Sequence, residues 1–434
     1  MRHTIAVILA AGRGTRMKSD VPKVMHEILG IPMISYTVDS VRHAGIKDIV
    51  LVAGFGSGEV EGFFKGTKIK AVLQKKLLGS GDAVNAARRE ILKSKGDCLV
   101  VYGDTPLIKP DTIKKLIAKH AASSAALTLL TAVLKNPAGY GRIIRNTEGR
   151  IIKIAEEDEA KDYKKEMKEI NVGTCIFRHE DLFDALGKIG RENAKKEYYL
   201  TDAVKILSEK GRKIESVSIE DPEEMTGVNS RIELSQAACC IKNRILNELM
   251  LSGVTVQDPS TTTVYPGARI GADSVIYPNT VIESDVVIGR SCHIGPFAHL
   301  RHGTRVADYA EIGNFVELVR TQIGKSTKVK HHTYLGDTRV GKGVNIGAGT
   351  ITANYDGNNK SRTVIGDNSF IGVGAILIAP VKIGKKALVG AGTVVLKGHN
   401  IKDGATAVGV PARILEKRRS ERRKTQMITD KKHR

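Results

Sequence analysis

The spacing of apolar residues divides the chain into two halves. Over residues 1–229, short apolar runs such as "TIAVILAA", "DIVLVAG" and "DCLVVYGD" alternate with amphipathic stretches such as "GDAVNAARREILKSKG". Apolar strands that alternate with helical segments are typical of βαβ units. The first half therefore predicts a Rossmann-like α/β domain on a mostly parallel sheet.

In the second half, one aliphatic residue recurs at every sixth position. Two uninterrupted runs consist of Val264, Ile270, Ile276, Ile282, Ile288, Ile294, Leu300, Val306, Ile312 and Leu318, and of Ile365, Ile371, Leu377, Ile383, Val389 and Val395. Such a hexapeptide repeat predicts a parallel β-helix over residues 253–412, in which three hexapeptides form one triangular coil. The polar stretch "TANYDGNNKSRTV" interrupts the repeat and predicts a loop beside a second site.

Residues 230–252 contain neither Gly nor Pro, and their apolar residues have helical spacing, which predicts a connecting helix. Residues 413–434 form a basic tail, which contributes to a formal net charge of +21. This charge favours phosphorylated or polyanionic partners. Because the chain has no Trp and only 4% aromatic residues, nucleic-acid binding is disfavoured.

No apolar run approaches the length of a membrane span, and the stretch Ile5 to Ala11 lacks the flanks of a signal peptide. Five scattered cysteines form no C-x-x-C pair. We therefore expect a cytoplasmic protein with reduced thiols and no membrane span.

The stretch "LAAGRGTRM", from Leu9 to Met17, follows the first apolar run. Met17 occupies the third small position of the dinucleotide fingerprint, and the Gly-Lys-Ser/Thr of a Walker motif is missing. What remains is a glycine-rich turn whose backbone amides can approach a phosphate, followed by the cations Arg16 and Lys23. This pattern suits a nucleoside triphosphate.

The motifs "YGDTPL", "GYGRI", "EINVG", "EYYLTD" and "GVNSR" follow in order, and the solenoid comes after them. With these motifs the chain resembles, from roughly Ile5 to Pro411, the family that joins N-acetylglucosamine-1-phosphate uridyltransferase to glucosamine-1-phosphate acetyltransferase. The resemblance implies a left-handed β-helix and a homotrimer. It also implies acetyl transfer from acetyl-CoA to glucosamine-1-phosphate, then uridyl transfer from UTP to N-acetylglucosamine-1-phosphate with release of pyrophosphate.

For uridyl transfer, the resemblance implies that Arg16 and Lys23 hold the triphosphate and that Asp104 and Asn229 bind Mg²⁺. The other matching nucleotide- and sugar-binding positions fall into groups: Leu9, Ala10, Ala11 and Gly12 line the nucleotide, Gln74, Gly79 and Ser80 match the uracil-binding segment, and Gly141, Glu156 and Asn171 match the positions that hold the sugar, with Tyr102 and Gly103 beside Asp104. Leu77 stands where relatives carry a second polar residue. That difference leaves dTTP or GTP open as alternatives to UTP.

For acetyl transfer, the resemblance implies that His331 is the general base, that Glu317 orients it or stabilises its charge, and that Arg301 contacts the sugar phosphate. The other matching positions are Tyr334, Asn345, Asn354, Tyr355 and Lys360, which complete the sugar and thioester pockets, and Ala348 and Ala391, which lie beside the cofactor. Three residues depart from the family pattern: Val319 replaces a Lys for the sugar phosphate, Val373 replaces a Ser, and Gly409 falls near a cofactor-binding Arg. Arg320 is not expected to replace the missing Lys, because neighbouring residues on a strand point to opposite faces.

These departures leave a second hypothesis open, in which the chain only transfers nucleotides and the solenoid serves for trimerisation. A third hypothesis takes the basic chain as a polyanion-binding scaffold. The ordered motifs of the first half argue against the third hypothesis.

Overall fold

The computed structural model describes residues 3–156, 167–193 and 195–415. The predicted basic tail therefore lies outside the described residues, apart from 413–415. Contacts between residues group the chain into two compact units, Met1–Ile241 and Lys242–Arg434. In the described part, no helix is both long and apolar enough to cross a lipid bilayer.

The first unit is built on one twisted sheet, in the strand order β11-β7-β10-β6-β1-β4-β5, with the hairpin β8-β9 attached to β10. Its strands are β1 (Thr4–Ala10), β2 (Glu27–Ile28), β3 (Ile31–Pro32), β4 (Asp48–Ala53), β5 (Lys70–Leu73), β6 (Asp97–Tyr102), β7 (Leu127–Val133), β8 (Arg142–Arg145), β9 (Ile151–Ala155), β10 (Glu169–Phe177) and β11 (Ile214–Ser218), of which β2 and β3 form a separate pair. The strands β1, β4, β5 and β6 are parallel, as the alternating pattern predicts, whereas β10 runs antiparallel between β6 and β7.

Helices cover both faces of this sheet. They are α1 (Met33–His43), α2 (Ser57–Phe63), α3 (Ser80–Ala86), α4 (Arg88–Ser94), α5 (Pro110–Ser123), α6 (His179–Leu186) and α7 (Asp202–Glu209). The next helix, α8 (Arg231–Leu251), begins in the first unit and ends in the second. Alternate residues of β1 enter different cores: Ile5 and Val7 pack on one side, Ala6 and Ile8 on the other. A strand buried on both faces reads as a continuous apolar run, which explains the opening segment of the sequence.

The second unit is a solenoid of short parallel strands on three faces. Its strands are β12 (Thr255–Val256), β13 (Thr263–Val264), β14 (Arg269–Ile270), β15 (Val275–Ile276), β16 (Val281–Ile282), β17 (Val287–Ile288), β18 (His293–Ile294), β19 (His299–Leu300), β20 (Arg305–Val306), β21 (Glu311–Val319), β22 (Gln322–Ile323), β23 (Lys328–Gly336), β24 (Thr338–Val340), β25 (Asn345–Ile346), β26 (Ile351–Ala353), β27 (Thr363–Ile365), β28 (Phe370–Ile371), β29 (Ile376–Ile378), β30 (Val381–Ile383), β31 (Leu388–Val389), β32 (Val394–Val395), β33 (Thr406–Val408) and β34 (Arg413–Ile414). Val264 pairs with Ile282, and Ile282 with Leu300, so one coil takes three hexapeptides. The inward aliphatic residues form one core.

Two coils are one residue shorter than the repeat predicts. Leu318 is followed by the next inward residue after five positions, at Ile323, and Leu335 likewise by Val340. The corner between these inward residues is then formed by Arg320 and Asp337, with φ of 49° and 50°. The predicted loop leaves the solenoid between β26 and β27, where Tyr355 and Lys360 form an antiparallel bridge.

Candidate active sites

The first site is a cavity of about 420 Å³ at the carboxyl ends of β1, β5 and β6, the edge where open parallel sheets bind ligands. Ten predicted residues line it: Leu9, Ala10, Ala11, Gly12, Lys23, Gln74, Gly79, Ser80, Tyr102 and Asp104. Five further lining residues are Arg13, Val24, Leu77, Ala83 and Glu197. Six predicted residues lie outside this lining: Arg16, Gly103, Gly141, Glu156, Asn171 and Asn229.

Lys23, Asp104 and Asn229 meet at one edge of the cavity. The Lys23 ammonium donates to the Asp104 carboxylate and, at 3.2 Å, to Asn229 Oδ1. The side chains of Lys23 and Asp104 are only 12% and 18% exposed. A carboxylate and an amide oxygen that converge on one cation are the hard donors that Mg²⁺ prefers, and Mg²⁺ takes its remaining ligands from water and substrate phosphates.

The backbone around Asn229 is held in place by the start of α8. Glu233 accepts hydrogen bonds of 2.7 Å from the N–H groups of Asn229 and Ser230, and the Glu233 N–H donates to the Ser230 hydroxyl at 3.4 Å. This reciprocal arrangement is a capping box. The N–H of Val228 also donates to the Asp104 carbonyl at 2.8 Å. These contacts fix the two candidate metal-binding residues relative to each other.

The glycine-rich turn presents a different arginine from the one expected. Arg13 lines the cavity, with its guanidinium 5.7 Å from the centre of the Phe55 ring, whereas Arg16 lies exposed in the short 3-10 turn Thr15–Met17. Gly14 has φ of +60°, and a Cβ there would approach Lys23 Cβ to 2.6 Å. Only glycine suits this position, because any side chain would displace Lys23.

A second wall of the cavity matches the predicted base-binding segment. Gln74 Nε2 donates to the Gly79 carbonyl at 3.1 Å and to Asp82 Oδ2 at 2.7 Å, whereas Gln74 Oε1 has no partner within the described part of the chain. Gly79 has φ of +108°, and a Cβ there would lie 2.6 Å from the Tyr198 carbonyl oxygen. Leu77 also lines this wall, so the departure noted in the sequence contributes an apolar surface to the cavity.

Three predicted sugar-binding residues lie together beside the cavity. The Asn171 N–H donates to the Gly141 carbonyl at 2.9 Å. A Cβ on Gly141 would lie 3.6 Å from Glu156 Oε2, and Glu156 Oε1 accepts from the Thr201 hydroxyl at 2.6 Å. Gly103 connects β6 to β1, since its N–H donates to the Leu9 carbonyl at 2.9 Å.

In the solenoid, His331 lines a cavity of about 460 Å³ together with Tyr277, His293, Glu311 and Asn314, among others. His331 Nδ1 lies 2.8 Å from Asn314 Oδ1. An amide oxygen only accepts hydrogen bonds, so Nδ1 is the donor in this contact, and in the neutral ring Nε2 is then the nitrogen with the lone pair. This is the tautomer that a general base requires, and sequence reasoning did not assign Asn314.

Glu317 was expected to orient His331 or to stabilise its charge, but its carboxylate pairs with an arginine instead. Arg301 Nη1 donates to Glu317 Oε1 at 3.0 Å, and Arg301 Nε lies 3.6 Å from Glu283 Oε1. The Arg301 guanidinium is therefore held between two carboxylates. In the described residues the contact to His331 Nδ1 comes from Asn314, one coil away and directly paired with His331.

The predicted sugar-pocket residues Tyr334 and Asn354 are in contact, with the Tyr334 hydroxyl 3.5 Å from Asn354 Oδ1. Asn354 Nδ2 donates to Asp337 at 2.5 Å. Tyr355 and Lys360 lie on the loop that leaves the solenoid.

Three residues expected near the cofactor form a column at one corner. The Gly374 N–H donates to the Ala348 carbonyl at 2.7 Å, and the Gly392 N–H donates to the Val373 carbonyl at 2.8 Å. Ala391, next in this column, and Val373, which is 59% exposed, make the corner apolar. Asn345 lies on β25, where its N–H bonds to the Ser369 carbonyl.

Comparison with known sequences identifies both halves. Residues 6–187 match the MobA-like NTP transferase domain, residues 285–320 the bacterial transferase hexapeptide repeat, and residues 362–397 the hexapeptide repeat of succinyl-transferase. The bifunctional protein GlmU of Shouchella clausii is 42% identical over 91% of this chain and 94% of its own length. GlmU of Carboxydothermus hydrogenoformans is 43% identical over 89% and 94%.

The chain belongs to the bifunctional GlmU family. As in GlmU, a nucleotidyltransferase domain and a hexapeptide-repeat transferase domain occur in one polypeptide. The prediction of a bifunctional transferase, with an α/β domain followed by a parallel β-helix, is confirmed.

Proposed function

We propose that the chain makes UDP-N-acetylglucosamine in two steps. The solenoid transfers the acetyl group of acetyl-CoA to glucosamine-1-phosphate, and the first unit then transfers uridylate from UTP to N-acetylglucosamine-1-phosphate. The observation that carries this proposal is the presence of two separate cavities, one lined by the nucleotidyltransferase motifs and one by His331. Such a nucleotide sugar is a precursor for cell-wall polymers.

In uridyl transfer, a phosphate oxygen of the acetylated sugar attacks the α-phosphorus of UTP, and pyrophosphate leaves. A phosphate monoester is largely dianionic at neutral pH, so no side-chain base is needed. The protein's contribution is positioning and charge neutralisation. Asp104 and Asn229 would hold Mg²⁺, which would supply positive charge to the triphosphate. Lys23 would donate to phosphate oxygens, and Arg16, or Arg13 in the cavity wall, would add a second cation.

In acetyl transfer, the sugar amine attacks the thioester carbonyl carbon, and the thiolate of coenzyme A leaves. His331 Nε2 accepts the proton that the amine loses, while Asn314 keeps the proton on Nδ1. Tyr334, Asn354 and the loop residues would hold the sugar. The apolar column of Ala348 and Ala391 would lie along the cofactor.

The hexapeptide repeat supports a homotrimer, in which a second copy of the chain completes the acetyl-CoA site. Because UTP and acetyl-CoA are cytoplasmic metabolites, we place the enzyme in the cytoplasm. The motifs of the first half and the cavity that they line suit small-molecule substrates, and we expect no nucleic-acid partner.

The decisive experiment follows free-thiol release from acetyl-CoA by the purified chain, with and without glucosamine-1-phosphate. Pyrophosphate release from UTP and N-acetylglucosamine-1-phosphate is measured in the same preparation. Thiol release that depends on the sugar confirms the two-step function. If no thiol is released while pyrophosphate release is active, the chain is a nucleotidyltransferase whose solenoid serves only for assembly.

A further inference from the structure

Arg320 occupies a place in the solenoid that strand alternation does not predict. The repeat unit from Leu318 to Ile323 has five residues instead of six. As a result, β21 ends at Val319 and Arg320 forms the corner, with φ of 49°. A corner residue in the left-handed region does not follow the alternating directions of a strand. The expectation that Arg320 cannot replace the missing Lys assumed that Arg320 lies within a strand, and it lies outside β21.

A chain of hydrogen bonds connects this arginine to the proposed sugar pocket. Arg320 Nε and Nη2 donate to the two carboxylate oxygens of Asp337 at 2.6 and 2.8 Å. Asp337 also accepts from Asn354 Nδ2 at 2.5 Å, and Asn354 Oδ1 lies 3.5 Å from the Tyr334 hydroxyl. Asp337 thus holds the guanidinium rigidly on the side of the pocket where Tyr334 and Asn354 lie.

The Arg320 guanidinium keeps donors for a ligand. Its pairing with Asp337 uses two of five N–H groups, and Nη1 has no partner among the residues that the structure describes. The side chain is 39% exposed. Arg320 and Asn354 hold the pKa of Asp337 below its usual value, and the Lys360 ammonium adds to this effect. The carboxylate of Asp337 pairs with one guanidinium here, whereas Arg301 is shared between two carboxylates.

We propose that Arg320 binds the phosphate group of the amino-sugar acceptor. It would thereby take the role of the family's lysine, which the uncharged Val319 replaces in this chain. The proposal rests on the acetyl transfer proposed above and names a binding residue for it. A planar guanidinium fixed by a carboxylate on one edge presents its remaining N–H groups to phosphate oxygens, which Arg can grip with two parallel hydrogen bonds. Lys360 supplies the second positive charge.

The test compares Arg320→Gln with the matched control Arg305→Gln in the full-length chain. Arg305 also pairs with a corner aspartate, Asp285, but it lies on another face of the solenoid. Calorimetric titration with glucosamine-1-phosphate and with glucosamine measures binding whether or not the enzyme turns over. We expect Arg320→Gln to weaken binding of the phosphorylated sugar by at least about tenfold, as for one charge-assisted hydrogen bond. Glucosamine binding, uridyl transfer and the control variant should stay at wild-type values.

Equal affinities of Arg320→Gln and wild type for glucosamine-1-phosphate would overturn the proposal. So would an equal loss for glucosamine, because that result assigns Arg320 a purely structural role. If wild type binds the sugar in an Arg320-dependent way but releases no thiol, the phosphate site stands and the proposed acetyl transfer fails.

Discussion

Asp104 is the carboxylate that accepts from the Lys23 ammonium beside Asn229, so its removal tests the metal-binding assignment. We expect Asp104→Ala to lower magnesium-dependent pyrophosphate release by at least about 100-fold, more than the loss of an outer-shell partner costs. The thermal unfolding transition of the first unit serves as the folding control. Asp111→Ala, which removes an exposed carboxylate from α5, should change neither activity. Full pyrophosphate release by Asp104→Ala would remove Asp104 from the site.

Asn314 tests the tautomer argument at the second site. Asn314→Leu removes the acceptor for the Nδ1 proton of His331, so the imidazole loses its fixed orientation. We expect kcat for acetyl transfer to fall about 10- to 100-fold, as for other residues that orient a functional histidine. Asn314→Asp keeps an acceptor oxygen and should retain most of the activity. Equal losses in both variants would show that the hydrogen bond to Nδ1 does not matter.

At the scale of single residues, the motifs located both sites but did not assign every contact. The turn "GRGTR" contains two arginines, and sequence order does not tell that Arg13 faces the cavity while Arg16 lies in the exposed 3-10 turn. Asn314 and His331 are 17 positions apart. They meet only because consecutive coils stack in register, a contact that requires the coil length to be known.

At the scale of elements, the six-residue period predicted the solenoid because each inward position must be filled by an aliphatic side chain. The six-residue period breaks at the two short coils. There the inward positions shift by one residue, at the corners formed by Arg320 and Asp337. A strict period therefore misassigns the direction of the side chains at exactly these corners. Sheet order in the first unit was likewise not determined by local pattern, since β10 inserts antiparallel between β6 and β7.

Arg231, at the start of α8, contacts the chain on both sides of Lys23. Its Nε donates to the Met17 carbonyl at 3.4 Å, and its Nη1 lies 3.3 Å from His26 Nδ1. Burial lowers the pKa of His26 from 6.5, and the neighbouring Arg231 guanidinium lowers it further. The folded chain therefore holds this ring neutral, while the unfolded chain binds a proton near pH 6.5. The stabilisation is complete above that pH and is lost as the pH falls towards the pKa of the folded state.

Thermal unfolding of the wild type and of His26→Gln, measured at about pH 7.5 and about pH 5.5, tests this linkage. Glutamine keeps an acceptor for Arg231 but does not titrate. We expect the wild type to lose more stability on acidification than the variant, by about 3–5 °C in the transition of the first unit for each unit by which folding lowers the pKa of His26. Identical losses would mean that His26 is not held neutral by the fold.

At the scale of the whole molecule, the two cavities lie in separate compact units, so each site should work when the other is inactive. Asp104→Ala protein should still acetylate glucosamine-1-phosphate, and His331→Ala protein should still transfer uridylate. Because the acetylated sugar phosphate can diffuse between molecules, a mixture of the two variants should form UDP-N-acetylglucosamine from glucosamine-1-phosphate, acetyl-CoA and UTP. Neither variant alone should form it from these substrates, and product is followed by chromatography. A silent mixture, with each partial activity intact, would mean that the intermediate passes only between sites of one assembly.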